Sequence, residues 1–480
     1  ELLKESTNAA ALAGAGALPD TTTANTYAID YGSKSAEFNS NGIMTNVTTT
    51  PTFGCWSAVT TNLNTACEAP PAGGAANNAI QVTQTAQVST WIGPLFGMPT
   101  FNIQAVSSAA MRGGAYIPYN IAVIVDTTAS MEDADDGKNS TCTSQIQCAL
   151  GGFQDLLEDL YPCQDSGTCA VGDKEVDNVA LFVFPVITTA TTTDDTTCTT
   201  AAPNTDPYSF TSATAPTPNS SASNMAMLPA ADSYEIVDFE NGYKTSDTTS
   251  TLVSSDPLAI ASGVGGTNCG IEKIKNGKPY LTAGEGTYYA QVIYQAQALL
   301  YNESNGTNGN GFQNAMIILS DGNATAAPTQ MSVASGTLNG TGTKTSNPNG
   351  YINPAYPSAL GECGQAVVAA HAASAAGTTV YTIGYGTETT GSCTLDKTVS
   401  ATVSDSTYGA KSWAPGDQAC DAIAAMATSA NTFYSDDSSL SGEGCVAVST
   451  NLSDITTLAG IFHSISNNFS TARLIPNSWS

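Results

Sequence analysis

The stretch Ile121-Ala122-Val123-Ile124-Val125-Asp126-Thr127-Thr128-Ala129-Ser130 is an apolar run that ends abruptly in a carboxylate and hydroxyls. A continuous apolar run is typical of a strand that is buried on both faces of a parallel sheet. We therefore predict a buried strand that delivers Asp126, Thr128 and Ser130 into the loop at its carboxyl end. Their oxygens suit a hard divalent cation such as Mg²⁺. The same residue types also favour ordinary turns, so this stretch alone leaves both interpretations open.

Two further segments present oxygen-bearing side chains in a similar setting. Residues 315–319 form a second apolar run that is followed by Ser320 and Asp321. Gly286-Thr287 precedes a stretch with apolar residues at helical spacing. In open α/β sheets, ligands gather outside the carboxyl ends of the strands, where the strand order reverses. We therefore predict that three separated segments deliver oxygens to one edge of one sheet.

These segments resemble the von Willebrand factor type A domain with its metal-ion-dependent adhesion site. The resemblance implies a doubly wound, mostly parallel α/β sheet. Few charged ligands beside several hydroxyls favour Mg²⁺ over Ca²⁺. Thr128 stands where the family more often has Ser, which keeps the hydroxyl. The alternative is that these side chains only form turns and a helix cap. The family pattern D-x-S-x-S, a distant Thr and a distant Asp falls on Asp126, Thr128, Ser130, Thr287 and Asp321.

Charged residues are few and mostly acidic: the chain has 13 Lys and Arg and 41 Asp and Glu, which gives a net charge of −28. Nucleic acids and anionic membrane surfaces bind through basic patches, so both are poor partners for this chain. The abundance of Thr, Ser, Asn, Ala and Gly favours a secreted or surface protein with a neutral polar exterior. No run of about 18 apolar residues occurs, so we expect no membrane span in this chain.

The two histidines, His371 and His463, lie on apolar helical stretches and are interpreted as helical surface residues. Their scarcity argues against a Ser-His-Asp triad and against a histidine zinc site.

The twelve cysteines fall in close pairs along the chain. Zinc ribbons and thioredoxin-like motifs use C-x-x-C pairs, and this chain has none. An even number at local separations favours disulfides and therefore an oxidising compartment. The alternative is a set of free buried thiols. In chain order the pairs are Cys55 and Cys67, Cys142 and Cys148, Cys163 and Cys169, Cys198 and Cys269, Cys363 and Cys393, and Cys420 and Cys445.

Residues 1–18 are a helix candidate that ends at Pro19, and residues 1–20 form the first predicted region. Its Ala and Gly residues recur at i, i+4, which makes a smooth face that another backbone can approach closely. Its charged residues exclude the apolar core of a signal peptide, so we expect any targeting segment to lie upstream. A helix this short is marginal alone in water. Two hypotheses remain open: the helix self-associates with a neighbouring subunit, or it docks within its own chain.

Residues 21–116 show short alternating runs between Gly, Pro and Asn, which predicts a small antiparallel β-domain. The runs lie at residues 26–29, 53–59, 79–88 and 101–110.

This N-terminal region resembles TadG, a pilus-assembly family of the tight-adherence system. The resemblance rests on the Ala-rich helix followed by residues 78–82, 95–97 and 103–110, and on residues 469–474 near the C-terminus. It implies a von Willebrand type A domain downstream, as predicted above. It also implies a transmembrane helix upstream of the Ala-rich segment, which this sequence does not contain.

The α/β domain is predicted to span residues 117–480, with apolar helical and strand patterns in alternation. Such an order forces right-handed crossovers and a parallel sheet. Periodicity disappears at about 187–280 and again at 323–361, which predicts two long insertions at the carboxyl edge.

These features together predict an extracellular or cell-surface bacterial protein that acts in metal-dependent adhesion or assembly of a pilus or filament, not an enzyme. The cation would keep one position open for a carboxylate of a protein ligand or of a neighbouring pilus subunit. One alternative is a purely structural filament or surface-layer subunit. A lesser alternative is a metal-assisted hydrolase, which would need a general base or a second metal beside the first. The acidic run that could supply one consists of Glu132, Asp133, Asp135 and Asp136.

The cysteine pattern generates a prediction about the intact protein. Three bridges are favoured, 55–67, 163–169 and 420–445, because each closes a short loop in a region with few large apolar residues. Such a bridge stabilises the fold by about 2–4 kcal/mol, chiefly by restricting the unfolded chain. Mass spectrometry of the unreduced protein should find these cross-links. Twelve alkylatable thiols would contradict both the bridges and the oxidising compartment.

Overall fold

The structure is a computed structural model. It describes residues 1–18, 21–34, 37–40, 42–54, 79–110, 118–135, 142, 144–163, 177–188, 232–246, 250–264, 271, 274–275, 278–279, 286–306, 309–322, 324, 326, 361–386, 393, 408–414, 417–436, 455–469 and 473–477.

The elements alternate between helices and strands over most of the chain. The helices are α1 (Leu2–Ala15), α2 (Thr21–Asp30), α3 (Gln145–Asp159), α4 (Pro257–Ala261), α5 (Tyr289–Asn305), α6 (Glu362–Ala375), α7 (Ala419–Met426) and α8 (Leu458–Asn467). The strands are β1 (Met44–Gly54), β2 (Ala79–Ser89), β3 (Thr100–Ala110), β4 (Tyr119–Asp126), β5 (Asp177–Thr188), β6 (Asp232–Glu240), β7 (Ile274–Lys275), β8 (Lys278–Pro279), β9 (Gln313–Ser320), β10 (Thr378–Gly384), β11 (Phe433–Ser435) and β12 (Arg473–Ile475).

The chain divides into two compact units. The first contains Glu1–Ile117, Thr248–Ser250 and Ser466–Ser480, and the second contains Pro118–Asp247 and Thr251–Ile465. The last residues of the chain therefore belong with the N-terminal region, whereas the sequence pattern placed them in the α/β domain. The reason is a strand pairing that is remote in sequence, since β12 pairs with β3 through Leu474 and Ala109.

The first unit is built on a four-stranded antiparallel sheet in the order β1-β2-β3-β12. The predicted runs at 79–88 and 101–110 are strands β2 and β3 of this sheet. The predicted run at 26–29 is wrong, because these residues lie in α2. Ala24 and Ala28 of this helix are buried one turn apart, so helical packing overrides the short alternating pattern.

Helix α1 uses its small-residue face inside the first unit. Ala10, Ala11 and Ala15 are fully buried in one cluster with Ile80 and Ala109 of the sheet. A face without large side chains lets the helix backbone lie close to the strands. The structure thus has the helix docked within its own chain, the second of the two hypotheses for residues 1–18.

A buried polar cluster fixes the position of α1. Gln84 of β2 has no exposed surface, and its Oε1 accepts hydrogen bonds from Ser6 Oγ at 2.7 Å and Ser33 Oγ at 3.0 Å. Thr7 Oγ1 donates to the same oxygen at 3.2 Å. A buried amide left without partners costs about 1–3 kcal/mol, so these bonds hold the helix in one register on the sheet.

The second unit is a mixed α/β fold around a six-stranded sheet in the order β11-β10-β9-β4-β5-β6. All neighbouring strands are parallel except β6, which runs antiparallel to β5 at the edge. Strand β4 lies in the middle, with β5 on one side and β9 on the other. The strand order therefore reverses beside β4, which is where an open α/β sheet places its ligand site.

Both faces of this sheet are covered. Ala122 and Ile124 of β4 pack into a core cluster with residues of α5, α6 and α7. Ile121, Val123 and Val125 alternate with them and are equally buried, although they lie outside that cluster. Burial on both faces explains why β4 reads as an unbroken apolar run in the sequence.

The two predicted insertions differ in what the structure describes. The first contains strand β6, which the sequence pattern did not reveal, and helix α4. Its residues 189–231 lie outside the described part. Strand β6 was missed because its adjacent residues Ile236 and Val237 are both apolar and buried, which interrupts the alternation within a polar segment. Of the second insertion, 323–361, only residues 324, 326 and 361 are described.

The surface interpretation of His371 is wrong. This residue is buried on α6, and its Nε2 lies 2.8 Å from the carbonyl oxygen of Ala425. The Ala-rich helix packs against α7 as well as β10, so little of it remains for solvent. His463 keeps a half-exposed ring, and its Nδ1 lies 2.6 Å from Asp159 Oδ2.

Two of the cysteine pairs taken in chain order are disulfides in the structure, Cys142–Cys148 and Cys363–Cys393. Their Cα atoms are 5.2 and 6.1 Å apart, within the range of ordinary bridges. Cys163 and Cys420 are also disulfide-bonded, and the described residues contain no free cysteine. The other six cysteines lie outside the described residues, so the three favoured bridges remain predictions.

Over the described ranges, every helix falls short of the length and hydrophobicity required to cross a membrane.

The close approach of α1 to the sheet can be tested at Gly14. A Cβ there would lie 2.6 Å from Ile80 Cδ1 and 3.0 Å from the carbonyl oxygen of Ala24. We expect Gly14→Ala to destabilise the first unit by about 1–3 kcal/mol through overpacking. Hydrogen exchange of residues 79–110 followed by mass spectrometry measures this.

Gly16→Ala is the matched control for this substitution. Gly16 has a helical backbone, and a Cβ there would meet only carbonyl oxygens of its own helix at 3.6 Å. We expect unchanged or slightly slower exchange, because Ala restricts the unfolded chain. Equal exchange in the Gly14 and Gly16 variants would show that α1 does not pack as described.

Candidate metal centre

The centre lies at the carboxyl edge of the six-stranded sheet, where β4 and β9 end side by side. Val125 pairs with Leu319 in the parallel register, so Asp126 and Ser320 follow at the same level. Thr127 fixes the turn after β4, since both its N–H and its hydroxyl donate to the carbonyl oxygen of Phe184 at 2.9 Å. The sheet itself therefore sets the distance between the two strand ends.

Asp126 is fully buried and accepts three hydrogen bonds. Its Oδ1 accepts from the Thr128 N–H at 2.9 Å and from the Thr128 hydroxyl at 2.6 Å. Its Oδ2 accepts from the Ser320 hydroxyl at 2.6 Å. Donors on both oxygens hold the carboxylate in one orientation and compensate part of the cost of burying its charge.

Asp321 forms a hydrogen-bonded carboxyl pair with Asp126. Burial raises the pKa of both groups, and the Asp126 charge helps raise the pKa of Asp321 to about 8. Because Asp126 already has three other donors, Asp321 is the partner that carries the shared proton. Two carboxyl groups this close and this buried cannot both ionise without a compensating positive charge.

Two hydroxyls complete the group of predicted oxygens around this pair. Ser130 Oγ lies 3.1 Å from Thr128 Oγ1, and the Ser130 side chain also hydrogen-bonds to Asp321. Thr128 is buried, whereas Ser130 is exposed. The centre is therefore closed toward the sheet and accessible from solvent on the Ser130 side.

Thr287 lies just before α5, on the segment that brings Tyr289 to the centre. Thr287 is buried, and its carbonyl oxygen accepts from the Ala326 N–H at 3.3 Å. The described side-chain contacts bring the other four predicted residues together, and Thr287 is connected to them through the chain and Tyr289.

Sequence reasoning missed Ser320 and Tyr289. Tyr289 Oη lies 2.6 Å from Ser320 Oγ and donates to the carbonyl oxygen of Gly322. Burial raises the pKa of Tyr289 well above its ordinary value, with the Asp126 charge as a second cause, so it stays a neutral donor. The available signals were their positions, one residue before Asp321 and two after Thr287.

The residues at this centre fit a hard divalent cation. All the available donors are oxygens, and two are carboxylates whose charge is now offset only by a shared proton. A divalent cation would replace that proton and balance both negative charges. Asp126 and Asp321 would supply the charge, and the hydroxyls of Thr128, Ser130 and Thr287 would supply neutral ligands.

A neighbouring group that includes Asp135, Cys142 and Cys148 has a different explanation. Its potential ligand atoms lie within 4.8 Å of one another. The two sulfurs are joined in a disulfide, however, and a metal ligand would have to be a free thiolate. Asp135 also accepts a hydrogen bond from the Tyr385 hydroxyl. This group is therefore a structural link between loops and not a cation site.

A second carboxyl pair, Glu240 and Asp256, lies at the end of β6 and the start of α4. Asp256 caps α4 by accepting from the Leu258 N–H at 2.9 Å and the Ala259 N–H at 3.3 Å. Burial first and then the Asp256 charge raise the pKa of Glu240 to about 8. Asp256 has the backbone donors, so Glu240 holds the proton that the pair shares.

The N-terminal region matches a known protein family. Residues 13–109 match the model of a family described as putative Tad-like Flp pilus-assembly proteins, Tad_C. The match covers the last residues of α1, helix α2 and strands β1 to β3, and it does not extend to the α/β unit. A search of curated proteins found no match.

Several solved structures resemble the chain at low similarity. The open form of the pilus adhesin SpaC from Lactobacillus rhamnosus GG is 11% identical, with a TM-score of 0.35. The aligned region covers 82% of this chain and 33% of the SpaC chain. The von Willebrand factor domain of the type V pili tip protein Mfa5 from Porphyromonas gingivalis is 14% identical, with a TM-score of 0.31. The aligned region covers 74% of this chain and 96% of the Mfa5 domain. This chain thus spans about a third of the SpaC structure. The scores are low, so the description of the fold rests on the strand order.

A third structure is proximal thread matrix protein 1 from the mussel byssus, described as having a zinc-occupied MIDAS motif. It is 10% identical, covers 75% of this chain and 48% of its own, and has a TM-score of 0.28.

The Glu240 pair generates a prediction about pH and stability. The folded protein keeps a proton that the unfolded chain releases above the ordinary Glu pKa of 4.5. Stability should therefore fall as the pH rises from about 5 to about 8. Glu240→Gln should remove about 2 kcal/mol of this loss, allowing for partial solvent screening. Asp238→Asn, at an exposed neighbour on β6 whose charge is only the smallest contribution to the raised pKa of Glu240, should change the slope only slightly.

Urea unfolding at both ends of this pH range measures the effect. The assignment of the proton to Glu240 fails if Glu240→Gln loses as much stability between them as the wild type does.

Proposed function

We propose that this chain is a pilus-associated surface protein whose second unit is a von Willebrand type A module with a metal-dependent adhesion site. The carboxyl pair of Asp126 and Asp321 at the strand-order reversal is the observation that carries this proposal. The family match of residues 13–109 supports the association with a pilus. Mg²⁺ is the proposed cation, because the donor set has only two charges and several hydroxyls.

Each residue of the centre has a separate task in this proposal. Asp126 and Asp321 balance the charge of the cation. Thr128 and Ser130 offer hydroxyls from the β4 loop, and Thr287 offers a third from the start of α5. Ser320 and Tyr289 position the ligands, since they hold Asp126 Oδ2 and the backbone of the β9 loop.

The bound cation would supply a positive centre with one position open for an anionic ligand. In this proposal the opening faces solvent, which the exposed side chain of Ser130 supports. A chain with a net charge of −28 repels acidic partners at long range, so such a centre would be a specific point of attraction for a carboxylate. The proposed ligand is an acidic side chain of a protein partner or of a neighbouring pilus subunit, outside the cell, where the disulfides are stable.

The metal assignment is tested by titrating Mg²⁺ into the metal-free protein in a calorimeter. We expect Asp126→Ala to weaken binding by more than about 100-fold, since loss of a ligand costs at least as much as loss of an outer-shell partner. Asp133→Asn, an exposed carboxylate of the same loop, is the control and should bind like the wild type. Unchanged Mg²⁺ affinity in Asp126→Ala would show that the site is assigned wrongly.

The adhesion role is tested separately from metal binding. An excess of an acidic peptide should bind the Mg²⁺-loaded protein and lose its binding when the metal is chelated. Metal binding without any metal-dependent peptide binding would favour a purely structural subunit, in which the cation only stiffens the loops.

A further inference from the structure

The turn between β2 and β3 carries the largest group of strongly exposed apolar side chains among the described residues of the first unit. Its sequence is Thr90-Trp91-Ile92-Gly93-Pro94-Leu95-Phe96-Gly97-Met98-Pro99. Trp91 is 101% exposed, Leu95 83% and Phe96 72%. We call residues 91–98 the apolar tip. Ile92 and Met98 within it, Ile43 at the start of β1 and Phe101 at the start of β3 are also more than half exposed.

The apolar tip extends beyond the sheet. The ladder of β1 and β2 ends with Met44 opposite Val88, and that of β2 and β3 ends with Ser89 opposite Thr100. Ile43 precedes Met44 and therefore lies at this same end of the sheet. The exposed side chains of the tip, Ile43 and Phe101 thus lie together at one end of the sheet.

Hydrogen bonds within the turn give the tip a fixed shape. The Thr90 N–H donates to the Pro99 carbonyl at 2.9 Å, and the Leu95 N–H to the Ile92 carbonyl at 3.0 Å. The Gly97 N–H donates to the Pro94 carbonyl at 3.3 Å. Both prolines lack an N–H altogether. Several backbone N–H and carbonyl groups of the tip are therefore hydrogen-bonded within the turn, which lowers the free-energy cost of moving it out of water.

Charge is absent around the tip. Between Glu68 and Arg112 the sequence contains no Asp, Glu, Lys or Arg. In a chain with a net charge of −28, this uncharged stretch is the part that can leave water without burying an ion. A partner that recognises it does so through apolar contact and not through charge.

Exposure on several sides indicates what kind of partner fits. Trp91 and Ile92 are adjacent, as are Leu95 and Phe96, and adjacent residues in a turn point in different directions. A flat protein surface would cover only part of such a convex tip, whereas a fluid apolar phase surrounds it. Trp is also the residue most enriched at the interface of a bilayer.

We propose that the apolar tip inserts into the interfacial region of a lipid bilayer. The first unit then lies on a membrane surface through this tip, without spanning it. Because the tip carries no charge, neutral lipid suffices, and added salt does not weaken the contact. The negative charge elsewhere on the chain makes strongly anionic lipid the poorer surface.

The test uses the full chain with vesicles of neutral phosphatidylcholine. The expected result is co-sedimentation that persists at high salt, with a blue shift of tryptophan fluorescence and quenching by brominated lipid. The double variant Leu95→Asp/Phe96→Asp should bind at least about tenfold more weakly, because it puts two charges into the inserting surface. Circular dichroism checks that it folds, and Trp91→Ser provides a second, milder variant.

Leu474→Asp is the matched control. Leu474 is an exposed apolar residue of the same sheet, but it pairs with Ala109 at the opposite end from the tip. It should bind vesicles like the wild type. An equal loss of vesicle binding in Leu474→Asp and in the tip variants would overturn the proposal.

Sedimentation without vesicles tests whether the tip instead binds a second copy of the chain. A wild type that fails to bind vesicles but self-associates through the tip, with association lost in the double variant, would make the tip a contact between copies and overturn the proposal. Absence of both vesicle binding and self-association would overturn it as well.

Discussion

Two carboxyl groups held against each other out of water are the constraint on which the second unit depends. Asp126 and Asp321 follow neighbouring parallel strands, and the register of those strands fixes their separation. Asp126 cannot turn away from Asp321, because hydrogen bonds hold both of its carboxylate oxygens. Ionising both would leave two like charges in a medium that screens them poorly. Such an arrangement is stable with a shared proton or with a cation, and the surrounding oxygens suit the cation.

The sheet makes this costly arrangement possible. Strands β4, β5 and β9 are buried on both faces, and α5 packs against all three. A packed interior resists small displacements, so the strand ends cannot relax apart. Helix α5 also supplies Tyr289, whose hydroxyl reaches the turn after β9. The core thus contributes to the centre by rigidity, and the loops contribute the ligands.

The first unit uses a different principle. Its three long strands are almost free of charge, and its helix α1 presents small residues to them. Small side chains bury little apolar area, so close backbone approach and the bonds to Gln84 must add to the packing. Large apolar side chains such as Ile80 and Leu18 also contribute to this core, whereas those of the apolar tip lie outside it. The first unit therefore has a buried apolar core and, separately, a group of exposed apolar side chains at one end of its sheet.

The sequence alone determined the parts that depend on local pattern. The apolar runs predicted β4 and β9, because strands buried on both faces tolerate few polar residues. The carboxylates and hydroxyls that follow these runs predicted four residues that the structure brings together, Asp126, Thr128, Ser130 and Asp321. Their binding of a metal remains a proposal. The helical and strand periods likewise predicted that helices and strands alternate in the α/β domain.

Only the tertiary structure decided what depends on contacts between distant segments. The roles of Ser320 and Tyr289 follow from β9 lying beside β4 and α5 packing across both, which no local pattern specifies. The burial of His371 has the same origin, since α7 covers a helix face that looks like surface in the sequence. Strand pairing and helix packing join residues hundreds of positions apart. Their energy depends on the complementarity of two surfaces, and a sequence read along one segment contains only one of them.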